Sequence, residues 1–299
     1  MWTLAVDAVT AEVVTAFEAA DVAAVLLKGP SIATWLYEDP ALRGYADSDL
    51  LVDPDRIAAA RATLTELGFR PEFGPLPHPG MESPPSQPWH REGFAVDLHE
   101  TLPGVAADPR AAWRVLRSGA TEQSVGRRTV RVLGEPARLA HVALHAGHHG
   151  PLAGQPLEDL RRALAVAGQD SWRSALEVAE RMEATACFAA GLGLLPDGRR
   201  LLARLGVDPS AEAAGPADVP VEAGLARLRT TPGLGPKATL LRGELLPSPE
   251  FMRWWSPLAR RSRRGLIAAY AWRWAYLAWH ALRVWRRGDQ HISRRMDVS

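Results

Sequence analysis

Residues 26–54 read LLKGPSIATWLYEDPALRGYADSDLLVDP. The apolar run from Val22 to Leu27 stops at Lys28-Gly29-Pro30, which predicts a buried strand reaching a turn. Helical character restarts over Ser31 to Tyr37, and Asp39-Pro40 breaks it. Ser48 to Val52 predicts a second strand, closed by Asp53-Pro54. Asp47 and Asp49 stand two residues apart at the start of that strand, so both carboxylates fall on one face. Like charges that close repel and call for a cation. Mg²⁺ is the natural one, since it takes hard oxygen ligands and leaves positions for substrate phosphates. Taken alone, an Asp-x-Asp also reads as a strand-edge turn with solvated acids.

Three neighbours favour the metal. Gly29 precedes a helix start at Ser31, where backbone N–H groups and the helix dipole suit a phosphate. Lys28 is one of only two lysines among 35 basic residues and can lend a point charge to a triphosphate. Asp97 lies in Phe94-Ala95-Val96-Asp97-Leu98, an alternating strand, and a charge between core residues needs a partner or a metal. Two carboxylates on one strand and a third on another can hold two ions about 3.5–4 Å apart for in-line phosphoryl displacement.

Working outward, residues 10–20 predict a short helix, with Val13 and Phe17 on one face, and Ile57 to Leu67 a helix closing on Gly68. Seven prolines between Pro71 and Gly93 predict a loop. Ala111 to Leu116 reads as helix, and Val125 with Thr129–Leu133 as a hairpin around Gly126. Interleaved strands and helices over 1–133 predict an α/β or α+β domain on a mixed sheet. After Glu135-Pro136 the pattern is helical: Arg138–His149, Leu157–Ala167 and Trp172–Leu195, then a polar linker over 206–220 and more helix. The expected division is 1–134 and 135–299.

The chain has 299 residues with 47% hydrophobic and 23% charged, an ordinary globular balance that argues against a wholly disordered chain. The single Cys187 excludes an internal disulfide framework and a Cys-rich metal module. No charged n-region followed by an apolar h-region opens the chain, which predicts a cytoplasmic location. The net charge of +1 is uneven: eleven Arg against two Asp over 253–299 leave +9 there and −8 elsewhere. Such a tail can meet a polyanion. Gly265 to Leu282 is largely apolar but carries Arg273 and His280 at mid-length, so no membrane span is expected. Alternatively the tail helix packs its aromatic stripe on the core, with Arg stems covering the rim.

The run LLKGPSIATWLYEDPALRGYADSDLLVDP resembles the signature of an uncharacterised nucleotidyltransferase family within the DNA polymerase β-like superfamily. VDLHETL resembles the family's later strand, and LAHVALHAGHHG followed by LEDL resembles its helical segment with a His-rich turn. PSPEFMRWWSPLARR has the look of its C-terminal portion. The resemblance implies an α+β fold: a polymerase-β-like nucleotidyltransferase domain with a mixed sheet, followed by an α-helical domain. It implies transfer of a nucleoside monophosphate from an NTP, such as ATP, to an acceptor hydroxyl with pyrophosphate release. Asp47, Asp49 and Asp97 match the superfamily's three metal-binding carboxylates, for two Mg²⁺ ions or Mn²⁺. Gly29 and Ser31 fall near its triphosphate-holding turn, with Lys28 and Arg43 as further nucleotide contacts. Pro30 departs from the pattern because it has no N–H to donate. The acceptor stays open among a small molecule, a peptide, a sugar, a protein and a tRNA. A catalytically inactive nucleotide-binding or interaction module is the alternative.

His141, His145 and His148 fall on one helix face. They can line the cleft, cap the helix before Gly150 or hold a structural zinc. His99 shares a strand face with Asp97 and can contact substrate or orient a carboxylate. Asp159 reads as structural or as a cleft contact.

Overall fold

A computed structural model describes residues 2–72, 86–152, 154–208 and 233–296. The chain divides into two compact units, one of residues 1–72 and 84–216, the other of 73–83 and 217–299.

The first unit opens with α1 (Trp2–Ala19), then β1 (Ala24–Leu26), α2 (Pro30–Leu36) and β2 (Asp47–Val52). Next come α3 (Ile57–Glu66), β3 (Arg70–Pro71), β4 (Ser86–Arg91), β5 (Phe94–His99), α4 (Pro109–Ser118) and the hairpin β6 (Thr121–Val125) and β7 (Arg128–Val132). Among the described residues the strands form one seven-stranded mixed sheet, ordered β3-β4-β5-β2-β1-β7-β6. β2 runs parallel to β5 and antiparallel to β1, while β1 runs parallel to β7. Helices α5 (Glu135–His149), α6 (Gly154–Val166), α7 (Gln169–Arg181), α8 (Thr185–Gly193) and α9 (Pro196–Leu205) follow. This is the α+β architecture, a mixed sheet followed by helices, that the resemblance implies.

The alternation of β2 sets the two faces of the sheet. Leu50 and Val52 pack with Val13 and Phe17 of α1 and Leu64 of α3. Leu51 turns the other way, joining Val25 and Leu27 in a core with Leu139, Ala143 and Leu144 of α5 and Phe188 of α8. Asp47 and Asp49 share the parity of Leu51, so they face the α5 side. Ser48 shares the parity of Leu50 and accepts a hydrogen bond from Thr10 Oγ1 at 3.0 Å on the α1 side. α5 and α8 meet backbone to backbone at Gly191, where a Cβ would collide with the carbonyl oxygen of Ala143.

Three sequence expectations change. α1 begins at Trp2 rather than near residue 10. The proline-rich stretch contains β4: Pro88 lies in register with Asp97, and its carbonyl accepts from Glu72 N–H at 2.8 Å, a role that needs no proline N–H. Residues 73–85 of that stretch, and 209–220 of the linker, lie outside the described residues. The helix expected over Trp172–Leu195 is two, broken at Glu183, whose φ is 53°.

In the second unit, α10 (Leu234–Leu245), α11 (Pro249–Trp255), α12 (Pro257–Arg261) and α13 (Arg263–Met296) are described. Met252, Ala259 and Ala269 form a small core with Phe251, Leu266 and Tyr270. Two tryptophans of the expected stripe do not pack inward. Trp272 and Trp274 are 65% and 47% exposed, whereas Arg273 is buried with its guanidinium over the Phe251 ring. The helical repeat is the reason: Leu266, Ala269, Tyr270 and Arg273 share the inward arc, and 272 and 274 fall outside it. No helix among the described residues is long and apolar enough to cross a membrane.

Candidate active site

Parallel pairing of β2 with β5 places Asp49 directly beside Asp97, with Asp47 beside Ala95 one row away and Leu51 beside His99 on the other side. All these positions face α5. Two strands distant in sequence thus bring the three expected carboxylates to one patch of sheet.

Asp49 is 2% exposed. Its Oδ1 takes the Lys28 ammonium at 2.8 Å and His99 Nε2 at 3.1 Å. Burial alone would push this carboxyl up, but the Lys28 charge and the His99 hydrogen bond outweigh it and hold Asp49 well below the usual carboxylate range. Among the described residues, no such donor meets Asp97. Burial, followed by the charge of Asp49, pushes it up to about 6. Asp47 is also raised, by burial and then by Asp49. Lys28 stays charged: burial opposes its ammonium, and Asp49, Asp47 and Asp97 together more than offset that. One acid is therefore fixed as an anion and another is poised near neutrality, an arrangement that can hold a cation and accept a proton.

Asp49, Asp97 and His99 each offer one donor atom, and these atoms lie within 4.8 Å of one another. Two carboxylates and an imidazole at that spacing fit a divalent ion.

The turn before α2 is specific. Gly29 has φ 65°, and a Cβ there would stand 3.3 Å from Tyr45 Cδ2. Tyr45 is itself anchored by its hydroxyl, which donates to Asp7 at 2.7 Å. Ser31 is buried, with its hydroxyl directed at the carbonyls of Leu27 and Lys28 at 3.1 and 3.2 Å. Its side chain is spent on the turn itself.

Arg43, expected at the nucleotide, is 4% exposed and locked elsewhere. Nε and Nη2 grip Asp159 of α6 at 2.9 and 2.7 Å, and Nη1 reaches the Gly29 carbonyl at 3.5 Å. Asp159 also accepts from the Tyr37 hydroxyl at 2.8 Å and from Gln155 Nε2 at 3.1 Å. This buried hub ties α6 to the end of α2 and to the Gly29 turn. The two partners are 116 residues apart, and no local pattern in the sequence announces their pairing.

The histidines of α5 lead toward the same site. His141 is buried, and burial followed by the nearby Lys28 charge presses it down to about 3, so it is neutral. His145 is held well below its ordinary value for the same two reasons. Successive ring centroids from His141 to His145 to His149 are 5.9 and 4.5 Å apart. Among the described residues, no metal-ligating cluster involves these histidines.

A family model described as uncharacterised nucleotidyltransferase matches residues 3–197. The antibiotic-resistance factor ANT(2'')-Ia, known from its solution structure, is 18% identical, with 62% of this chain and 96% of that one covered and a TM-score of 0.43. An antigenic nucleotidyltransferase-like protein from Paracoccidioides brasiliensis is 13% identical over 63% of this chain and 92% of that one, with a TM-score of 0.36. A tRNA nucleotidyltransferase in complex with a primer tRNA and an incoming ATP analogue is 15% identical over 86% and 79%, with a TM-score of 0.25. No curated protein matches the chain.

Proposed function

The chain belongs to the family of uncharacterised nucleotidyltransferases, and from that premise we propose that it transfers a nucleoside monophosphate from an NTP, such as ATP, to an acceptor hydroxyl and releases pyrophosphate. The observation that carries this is the side-by-side placement of Asp49 and Asp97 on adjacent parallel strands, with Asp47 on the same face. In the proposed step the acceptor oxygen bonds to the α-phosphorus, the bond to pyrophosphate breaks, and Asp97 takes the hydroxyl proton. The place of Asp97 on the strand beside Asp49, on the face the acceptor would approach, supports that role.

Asp47, Asp49 and Asp97 are the proposed ligands of two Mg²⁺ ions, or of Mn²⁺, which when bound would offset the charge of the phosphates. Lys28, paired with Asp49, would add a fixed positive charge for the triphosphate. Gly29 and Ser31 hold the phosphates through backbone N–H groups, while Pro30 contributes none. Arg43 serves the nucleotide by fixing the Gly29 carbonyl. Catalysis by this chain is then mostly positioning and charge neutralisation.

The nucleotidyltransferase domain is proposed over 1–134 and the helical domain over 135–299, in a cytoplasmic protein. The acceptor is a small molecule, peptide, sugar, protein or tRNA, and the basic tail is proposed as a contact for a polyanion. Incubation of the purified chain with α-labelled NTPs, Mg²⁺ and cell extract, followed by identification of the labelled product, tests the reaction and names the acceptor. Asp47→Asn and Asp49→Asn should each lower pyrophosphate release by orders of magnitude. Near-wild-type turnover in either would overturn the proposal.

A further inference from the structure

We propose that His99 is a nitrogen ligand of the divalent ion held beside Asp49 and Asp97, so that this seat favours a first-row transition ion such as Mn²⁺ over Mg²⁺. The inference deepens the metal reading above and rests on it. It starts from the alternation of β5, which turns Asp97 and His99 to one face, and from the β2–β5 register, which sets Asp97 beside Asp49 and His99 one row further along. His99 Nε2 lies 3.1 Å from Asp49 Oδ1, and an Asp97 oxygen completes a set of three donors within 4.8 Å. Adjacent ligands of an octahedral ion, each about 2.1 Å from it, stand about 3.0 Å apart. The His99–Asp49 spacing meets that requirement without movement of either strand, the ion taking the place of the Nε2 proton and the ring keeping its proton on Nδ1.

Two orphaned nitrogens are the independent observation. The His99 side chain is 6% exposed, and its Nδ1 has no hydrogen-bond partner. His141, buried on α5, also leaves Nδ1 unpartnered. Buried polar atoms in native folds are nearly always satisfied. A buried imidazole with one nitrogen on Asp49 and the other unpartnered, beside a carboxylate pair, fits a polar site built around a further group.

Ion preference follows from the donor set. Mg²⁺ takes oxygen ligands almost exclusively, while imidazole raises affinity for transition ions in the order of their general complex stability. An all-oxygen seat would treat Mg²⁺ and Mn²⁺ more evenly.

Mn²⁺ is added to the full-length, nucleotide-free chain. Electron paramagnetic resonance reads how much binds, and electron spin-echo envelope modulation reads whether ¹⁴N is directly coordinated. The wild type should show imidazole nitrogen on the ion. His99→Gln should lose that signal and bind Mn²⁺ at least about tenfold more weakly, although its amide N–H can still donate to Asp49. His99→Asp should also lose the nitrogen and bring Mn²⁺ and Mg²⁺ affinities closer by about tenfold. Replacing His148 and His149 together by Gln should leave the nitrogen signal in place. Bound Mn²⁺ without nitrogen coupling in the wild type would overturn the ligand role and leave the carboxylate site standing. Persistence of the signal in His99→Gln, or its loss in the His148/His149 variant, would place the ion on another histidine. Absence of any Mn²⁺ binding would remove the metal reading itself.

Discussion

Asp97→Asn should stabilise the metal-free protein at neutral pH. Asp97 is pushed from 3.8 up to about 6, by burial first and by Asp49 second, with His99 and Lys28 opposing. In the folded chain its protonated form is therefore favoured. The stability this contributes is fully present below about pH 4 and is lost as pH rises through about 6. A shift of about two units corresponds to a ceiling of about 3 kcal/mol. Asp97 is only half-buried, so solvent screening reduces this to about 1–2 kcal/mol. A neutral Asn escapes that loss. Urea denaturation with a chelator present should find Asp97→Asn more stable than the wild type by about 1–2 kcal/mol at pH 7.5, with the gap closing toward pH 4. Asp49→Asn should move the other way, because it strips Lys28 and His99 of their shared acceptor; hydrogen bonds to charged groups are worth about 1.5–3 kcal/mol. A destabilised Asp97→Asn at pH 7.5, or a gap independent of pH, would refute the charge assignment.

Breaking the buried Arg43–Asp159 pair by Arg43→Met or Asp159→Leu should cost about 3–5 kcal/mol, while the double variant should cost clearly less than the sum; chemical denaturation of the four proteins measures the cycle. Gly29→Ala should lose about 1–3 kcal/mol through strain at φ 65° and pressure on Tyr45, seen as a lower unfolding midpoint together with weaker NTP binding. The basic tail should bind tRNA or acidic vesicles at low salt, with affinity falling steeply as salt rises. Negligible binding at both salt concentrations would reduce its arginines to solvated helix faces.

The placement of the candidate acids was legible where local rules suffice. Period two in 47–52 and 94–99 put the acids on single strand faces, and the Lys28-Gly29 break placed the turn. The β2–β5 register, which makes neighbours of Asp49 and Asp97, is a tertiary fact that pattern alone did not give. Arg43 shows the limit: an arginine beside a proposed phosphate turn reads as a phosphate contact, yet its fork is closed on a carboxylate far along the chain. Proline misled at Pro88, since a strand whose proline supplies only its carbonyl to the neighbour keeps its place in the sheet. The tail was legible only in part. Its tryptophans and arginines fit an aromatic stripe with arginines at the rim, whereas the helix turns Arg273 inward beside Tyr270 and turns Trp272 and Trp274 out.

The alternation of β2 can also be seen as a parity check on the fold. Odd positions carry Asp47, Asp49 and Leu51, and even ones carry Ser48, Leu50 and Val52. A slip of one residue would drive both acids into the apolar cluster under α1 and push Leu50 and Val52 to the α5 face. Each misplaced carboxylate would be buried without its partners, at a cost of several kcal/mol. The acids assigned to chemistry thus also act as error-detecting symbols for the strand. Replacing both by Ala would silence the alarm along with the site, and the variant to watch for would be one that folds with β2 out of frame.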